Sequence, residues 1–492
     1  MPVMSVGLPS VQGWAHHMKT FKFLTVLKSH FSRVFRTLLR MSYPTATLRD
    51  YVHRPHELFA LSDRDLLLLV HSDFKNELRR LNYAYSVGGR KSDKHLDWVS
   101  PSKILYPDDH DHDEVNRTLI SLLTLKWIYR DQYDVVVCHQ DHGLELSRDS
   151  FQAIRQVYEE TFENPEELYA LIMSVIINDI GKDKQLAVDW EKKTGEKIGT
   201  ENHDMILIKA VEVGLVGCLD RLTPGYKDDI IRGMRLGADF NFGQLAQAEN
   251  VPAALETLQI MKGHPLSFKL RFMEQLLDIA GAAGHLDWTC AKKLTQSNYD
   301  AYRAVYDAGL GIITGELNLR QGYDLVLKSR LGLLRTKGFR ELDLNEKDSR
   351  AFARILCMSS VADRDTAELY SRAWTTLDDN VRQSLCESLN KDGIDGNTAV
   401  QVTYSPALVT QAVDSNGVRS DEEKEKSLQS ALRYLEKVMS APIGAEGAYS
   451  YVERNVLRTL KDVVQTQKFR KDPTILEKAD IPEICYTKEA GS

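Results

Sequence analysis

Asn178 and Asp179 come near the end of Leu168 to Lys182, LYALIMSVIINDIGK, a run otherwise apolar or small apart from Tyr169, Ser174 and the closing Lys182. A helix that is apolar on every side is normally buried, so this one carries its polar pair into the interior. A buried carboxylate requires a cation or several hydrogen-bond donors, because leaving it unpaired costs several kcal/mol or forces it to take up a proton. Gly181 stands where a left-handed helix-ending residue would sit, with Lys182 just past it. Asp179 is therefore the first candidate for chemistry.

Other residues with suitable side chains are spread along the chain. His139 and His142 are three apart, so on a helix they share a face, with Asp141 and Glu145 beside them. His203 and Asp204 open a second apolar helix, which Asn202 or Thr200 can cap. Asp278 belongs to a helical pattern whose apolar stripe is Leu270, Met273, Leu277 and Ala280. It lies off that stripe, with Arg271, Glu274 and Gln275, on a side that ordinarily faces water. The cluster DDHDHDE, Asp108 to Glu114, is either a loose metal site or a solvated acidic loop capping the next helix. In GIDGNTAV the acids miss the alternate positions of a calcium loop and no Glu closes it.

The elements that must position these residues read as helices. Asp50 to Tyr106 is helical with Leu58, Leu61, Leu66, Leu69 and Val70 as core candidates, broken at Gly88 and Gly89. Val115 to Arg130 is a helix, and Tyr133 to Cys138 a short strand or helix start. Residues 221–262, with Pro224, Gly225, Gly233 and Gly237, suggest irregular structure near a pocket. Gly281, Ala282, Ala283 and Gly284 allow another helix to approach closely. Beyond about residue 300 amphipathic helices alternate with polar breaks, among them Glu422 to Met439 with Leu428, Leu432, Leu435 and Val438 on one face, and the last residues read as frayed. The divisions are a basic segment 1–49, a helical region 50–130, a helical core 131–310 and a C-terminal helical region 311–492.

A 492-residue chain with 43% hydrophobic and 27% charged residues can build a sizeable core. Its net charge of -7 gives no reason to expect a nucleic-acid partner. No apolar run approaches the roughly 20 residues of a membrane-spanning helix. The six cysteines form no CxxC pair, as in a reducing compartment, and the expected location is cytoplasmic. Residues 1–49 contain no Asp or Glu among their Lys and Arg, the composition of a mitochondrial presequence, a disordered extension or an overlong start before Met41. There is no P-loop, Rossmann fingerprint, HExxH or GxSxG.

The run NDIGK, preceded by an apolar helix and followed by a His that opens another, resembles the HD superfamily of metal-dependent phosphohydrolases, in which it reads HDIGK. The resemblance covers roughly residues 135 to 290. It implies an all-α fold, with an HD-like helical core between helical extensions. In the metal site it implies, His139 or His142 matches the first His, Asn178 and Asp179 the dyad, His203 and His264 the extra ligands, Asp278 the final Asp and Lys182 a lysine near substrate phosphate. The cofactor expected is a divalent ion, Mg, Mn or Fe, which polarises a phosphoryl oxygen and acidifies a bound water. The expected substrate is a phosphate ester or nucleotide-like small molecule. Asn178 departs from the pattern: its amide suits magnesium or manganese but replaces imidazole poorly for iron or zinc. A catalytically inactive helical interaction protein is the alternative reading, and an oxygenase or lyase like the di-iron inositol oxygenases a further one.

Overall fold

A computed structural model of the chain describes residues 46–84, 99–199, 202–394, 396–414, 419–444 and 448–489. Nearly all of the basic N-terminal segment, the Gly88–Gly89 break and the alternative cap Thr200 lie outside them. Numbering only α-helices of ten residues or more, the first two thirds of the chain contain α1 (Asp63–Asp73), α2 (Asp113–Tyr129), α3 (Arg148–Glu163), α4 (Pro165–Ile177), α5 (Lys184–Thr194), α6 (His203–Glu212), α7 (Pro224–Asp239), α8 (Pro265–Gly281), α9 (Gln296–Thr314) and α10 (Leu319–Thr336). Then follow α11 (Lys347–Met358), α12 (Arg364–Thr375), α13 (Asp379–Leu389), β1 (Ala399–Thr403), α14 (Ser405–Asp414), α15 (Asp421–Met439), β2 (Tyr449–Asn455) and β3 (Ile484–Glu489). The fold is mostly helical, and no helix among the described residues is long and apolar enough to cross a membrane.

The centre of the fold is α4, with α2 and α8 packed against it. Asn164 caps α4 by accepting from the Glu167 amide, Pro165 fills the first helical position, and every residue from Glu167 to Ile177 is buried. The small residues expected to allow close packing do so: a Cβ on Gly281 would collide with Ser121 and the Arg117 carbonyl, so α8 crosses α2 backbone to backbone. A further apolar cluster runs from Leu334 to Leu476, including Leu428, Leu432, Leu435 and Val438 of α15.

Two expectations are corrected. Residues 221–262 are largely ordered, as α7 and a 3-10 run Pro252–Met261, because Pro224 and Pro252 start helical turns rather than break them. The polar C-terminal stretch is not frayed at Ile484–Glu489, which forms β3 and pairs antiparallel with β2, while β2 pairs in parallel with the fully buried β1. The ladder's backbone bonds hold β3 where its largely exposed side chains give little burial.

Candidate functional site

Asp179 sits between the end of α4 and a single 3-10 turn, Ile180–Lys182. Gly181 is needed here, though not for a left-handed conformation. It has no positive φ, and a Cβ on it would collide with the His203 carbonyl oxygen and meet Leu207 at 3.2 Å. The turn therefore lies directly on the first turn of α6, which Asn202 caps by accepting from the Met205 amide. That contact brings His203 Nε2 to 3.7 Å from Asp179 Oδ1.

Lys182 folds back over the turn. Its Nζ lies 2.8 Å from Asp179 Oδ1 and 2.9 Å from Oε2 of Glu114, which is fully buried at the start of α2. Arg117, one turn along α2, donates to the other Glu114 oxygen at 2.8 Å. Across the site α8 presents Arg271, Glu274 and Asp278. Arg271 Nη1 donates to Asn178 Oδ1 at 3.1 Å and to Glu274 Oε2 at 2.5 Å. Asn178, Asp179, Glu274 and Asp278, with Thr118, Ser121 and Val175, line a crevice of about 10 Å³. A second, of about 20 Å³, reaches Asn178 and Glu274 from α7.

The electrostatics follow from burial. Desolvation opposes the Asp179 charge, but Lys182, with His203 behind it, overrides this and holds the carboxyl below its usual value. Burial likewise opposes the Lys182 charge, and Asp179 and Glu114 raise it instead. Lys182, Arg117 and Arg271 pull less strongly on Asp278. Burial, then the Asp179 charge, push it up to about 6. Burial pushes Glu274 up to about 8 against the pull of Arg271. Asp204 and Asp278 add to the negative charge around Arg271, and Glu274 is the carboxyl that burial drives furthest toward its protonated form.

Of the residues expected in a metal site, Asn178, Asp179, Lys182, His203 and Asp278 come together, and three do not. His139 is half exposed and bonded through Nδ1 to Asp287 Oδ2 at 2.9 Å, because it leaves the short helix Tyr133–Val137 toward the loop after α8. His142 is fully exposed beside Glu145. His264 is exposed at the N-cap of α8, where its side chain makes no capping bond. Asp278 does not face water as its place off the stripe suggested, because the polar side of α8 packs inward on α2 and α4. Glu114, Arg117, Arg271 and Glu274 are the residues that sequence reasoning missed. The Arg271, Glu274, Asp278 spacing on an otherwise apolar helix was the available signal.

The cations at these oxygens come from the chain itself: the Lys182 ammonium lies within 3 Å of both Asp179 and Glu114, and Arg271 donates to the Asn178 oxygen. Among the described residues, three His, Cys, Asp or Glu ligand atoms lie within 4.8 Å of one another only at Asp109–His110–His112 and at Cys138–His139–Cys290. Of the first cluster, the expected acidic loop, Asp109 and His110 are exposed, while His112 is buried against the Asn82 carbonyl and Asp109. Behind the turn, Ile180 and Asp183 also border a cleft of about 730 Å³ lined by Arg79, Arg80, Arg221, Asp73, Glu77 and Asp189 among others.

Comparison with known proteins gives one match. Residues 67–476 match the model of a family of unknown function, DUF6829. No curated protein and no solved structure matches.

Proposed function

Because the chain belongs to the DUF6829 family, to which no function is assigned, we propose from the site itself that it is a non-catalytic helical binding protein. In this reading an internally ion-paired DIGK turn serves as a structural pin. One observation carries it: Lys182 Nζ, within 3 Å of both Asp179 and Glu114, supplies from within the chain the positive charge that a metal ion would otherwise bring. The pin joins the end of α4, the start of α2 and, through Gly181, the start of α6. Binding falls to the cleft on the other side of the turn, whose volume lies in the range of small-molecule and peptide sites. Its mixed lining of Arg79, Arg221, Asp73 and Glu77 suits a partner carrying both charges.

The test is thermal denaturation of the purified chain with and without Mg²⁺, Mn²⁺ or Fe²⁺, beside assays of phosphomonoester and phosphodiester hydrolysis. The expected result is no turnover and no ion-dependent shift that Asp179→Asn abolishes, with Asp179→Asn lowering the midpoint whether or not ions are present. An ion that stabilises the parent but not Asp179→Asn, or manganese-dependent hydrolysis, would overturn the proposal in favour of an HD-type hydrolase. Bound iron with an oxygen-dependent spectrum would overturn it in favour of an oxygenase.

A further inference from the structure

We propose that Cys138, His139 and Cys290 form a binding site for one soft divalent cation of the zinc class, away from the DIGK turn. Their ligand atoms lie within 4.8 Å of one another. Two thiolates and an imidazole form a set that selects zinc-like ions over magnesium or calcium, and three protein ligands leave the fourth tetrahedral position open. Cys138 and His139 are exposed, so an ion can enter from solvent and a water molecule can take that position, while Cys290 anchors the site from the buried side.

The surroundings are those of a built site. A metal-ligating histidine usually donates its second ring N–H to a carboxylate, which fixes the ring. Here His139 Nδ1 lies 2.9 Å from both Asp287 Oδ2 and Thr289 Oγ1, so an ion held by the other ring nitrogen, Nε2, would complete that arrangement. Asp287 is held in turn, accepting from the Thr289 amide at 3.0 Å and the Thr289 hydroxyl at 2.6 Å. The two segments that carry the ligands are tied together independently of any ion. Gln140, buried between them, donates to the Ala291 and Leu294 carbonyls at 2.8 and 2.9 Å and accepts from the Leu146 amide at 2.9 Å. The Ala291 amide donates to the Val136 carbonyl at 3.1 Å. The sulfurs and imidazole are thus positioned before the ion arrives, and little ordering is left for binding to drive. Binding replaces two thiol protons by two metal–sulfur bonds and releases both protons to solvent, so affinity rises with pH.

The experiment is a titration of the reduced full-length chain with Co²⁺ as spectroscopic probe. The expected result is one equivalent bound, with near-ultraviolet thiolate-to-cobalt absorption and the visible bands of tetrahedral cobalt, both bleached by Zn²⁺. Cys138→Ser, at an exposed position where folding is not at stake, should weaken binding and reduce the charge-transfer absorption. Asp287→Asn should weaken binding by about 10-fold to 100-fold with the spectrum retained. Absence of thiolate-to-cobalt absorption in the reduced chain, or a Cys138→Ser titration identical to that of the parent, would overturn the assignment.

Discussion

At the scale of single residues the site is decided by where its charges find partners. Removing the Lys182 ammonium leaves Asp179 and Glu114 buried together without the cation they share, and the cost of breaking such a pair is about 3–5 kcal/mol. Lys182→Met is therefore expected to lower unfolding free energy by about that amount in urea titration. A loss below about 1 kcal/mol would show that the pin bears little load. Glu274 supplies a pH signature. Its folded pKa, raised to about 8 from 4.5, means that between those values the native chain retains a proton the unfolded chain has released. Stability therefore falls as pH rises through that window, by a few kcal/mol at roughly 1.4 kcal/mol per unit. Glu274→Gln should flatten that part of the curve, measured as denaturation midpoint from pH 4.5 to 8. An unchanged slope would mean that Glu274 is ionised beside Arg271.

At the scale of elements, the parts of the site that follow from periodicity were legible in the sequence and those that follow from packing were not. The buried helix ending in Asn178–Asp179, the capped helix opening at His203 and the stripe of α8 all read correctly, because each depends on residues a few positions apart. That the polar side of α8 faces inward was not legible, since it depends on α2 offering Glu114 and Arg117 from more than 150 positions away. His139 and His142 misled because residues three apart share a face only within a helix, and they lie beyond the end of Tyr133–Val137. Gly181 looked like a helix-ending residue, whereas its role is contact with α6. Gly181→Ala is accordingly expected to destabilise by about 1–3 kcal/mol through overpacking. Denaturant titration checks this, and an effect within 0.5 kcal/mol would mean that α6 moves aside freely.

At the scale of the whole molecule, the helical class was legible while the sheet was not. β1, β2 and β3 are short, and two are separated by a long helix, so no local alternation announced them. The loop that precedes Pro252 and the C-terminal region are joined by a buried cation. Arg354 of α11 donates to the Ala248 and Asn250 carbonyls at 3.2 and 2.9 Å and to the Leu389 carbonyl at 3.0 Å. Arg354→Met should leave these carbonyls without their donor and cost on the order of 3 kcal/mol. Calorimetry would then show whether one transition splits into two. A single transition at the parent temperature would mean the join lies elsewhere.

The order of the strands also bears on how the chain is made. β2 acquires its parallel neighbour from residues already synthesised, but its antiparallel neighbour is encoded some thirty residues later, at Ile484–Glu489. Until β3 is in place β2 has one edge paired and the other open, a template for pairing with a neighbouring chain. A chain truncated before Ile484 would keep that edge open, and is expected to associate with other copies through it even though every residue of β1 and β2 is present.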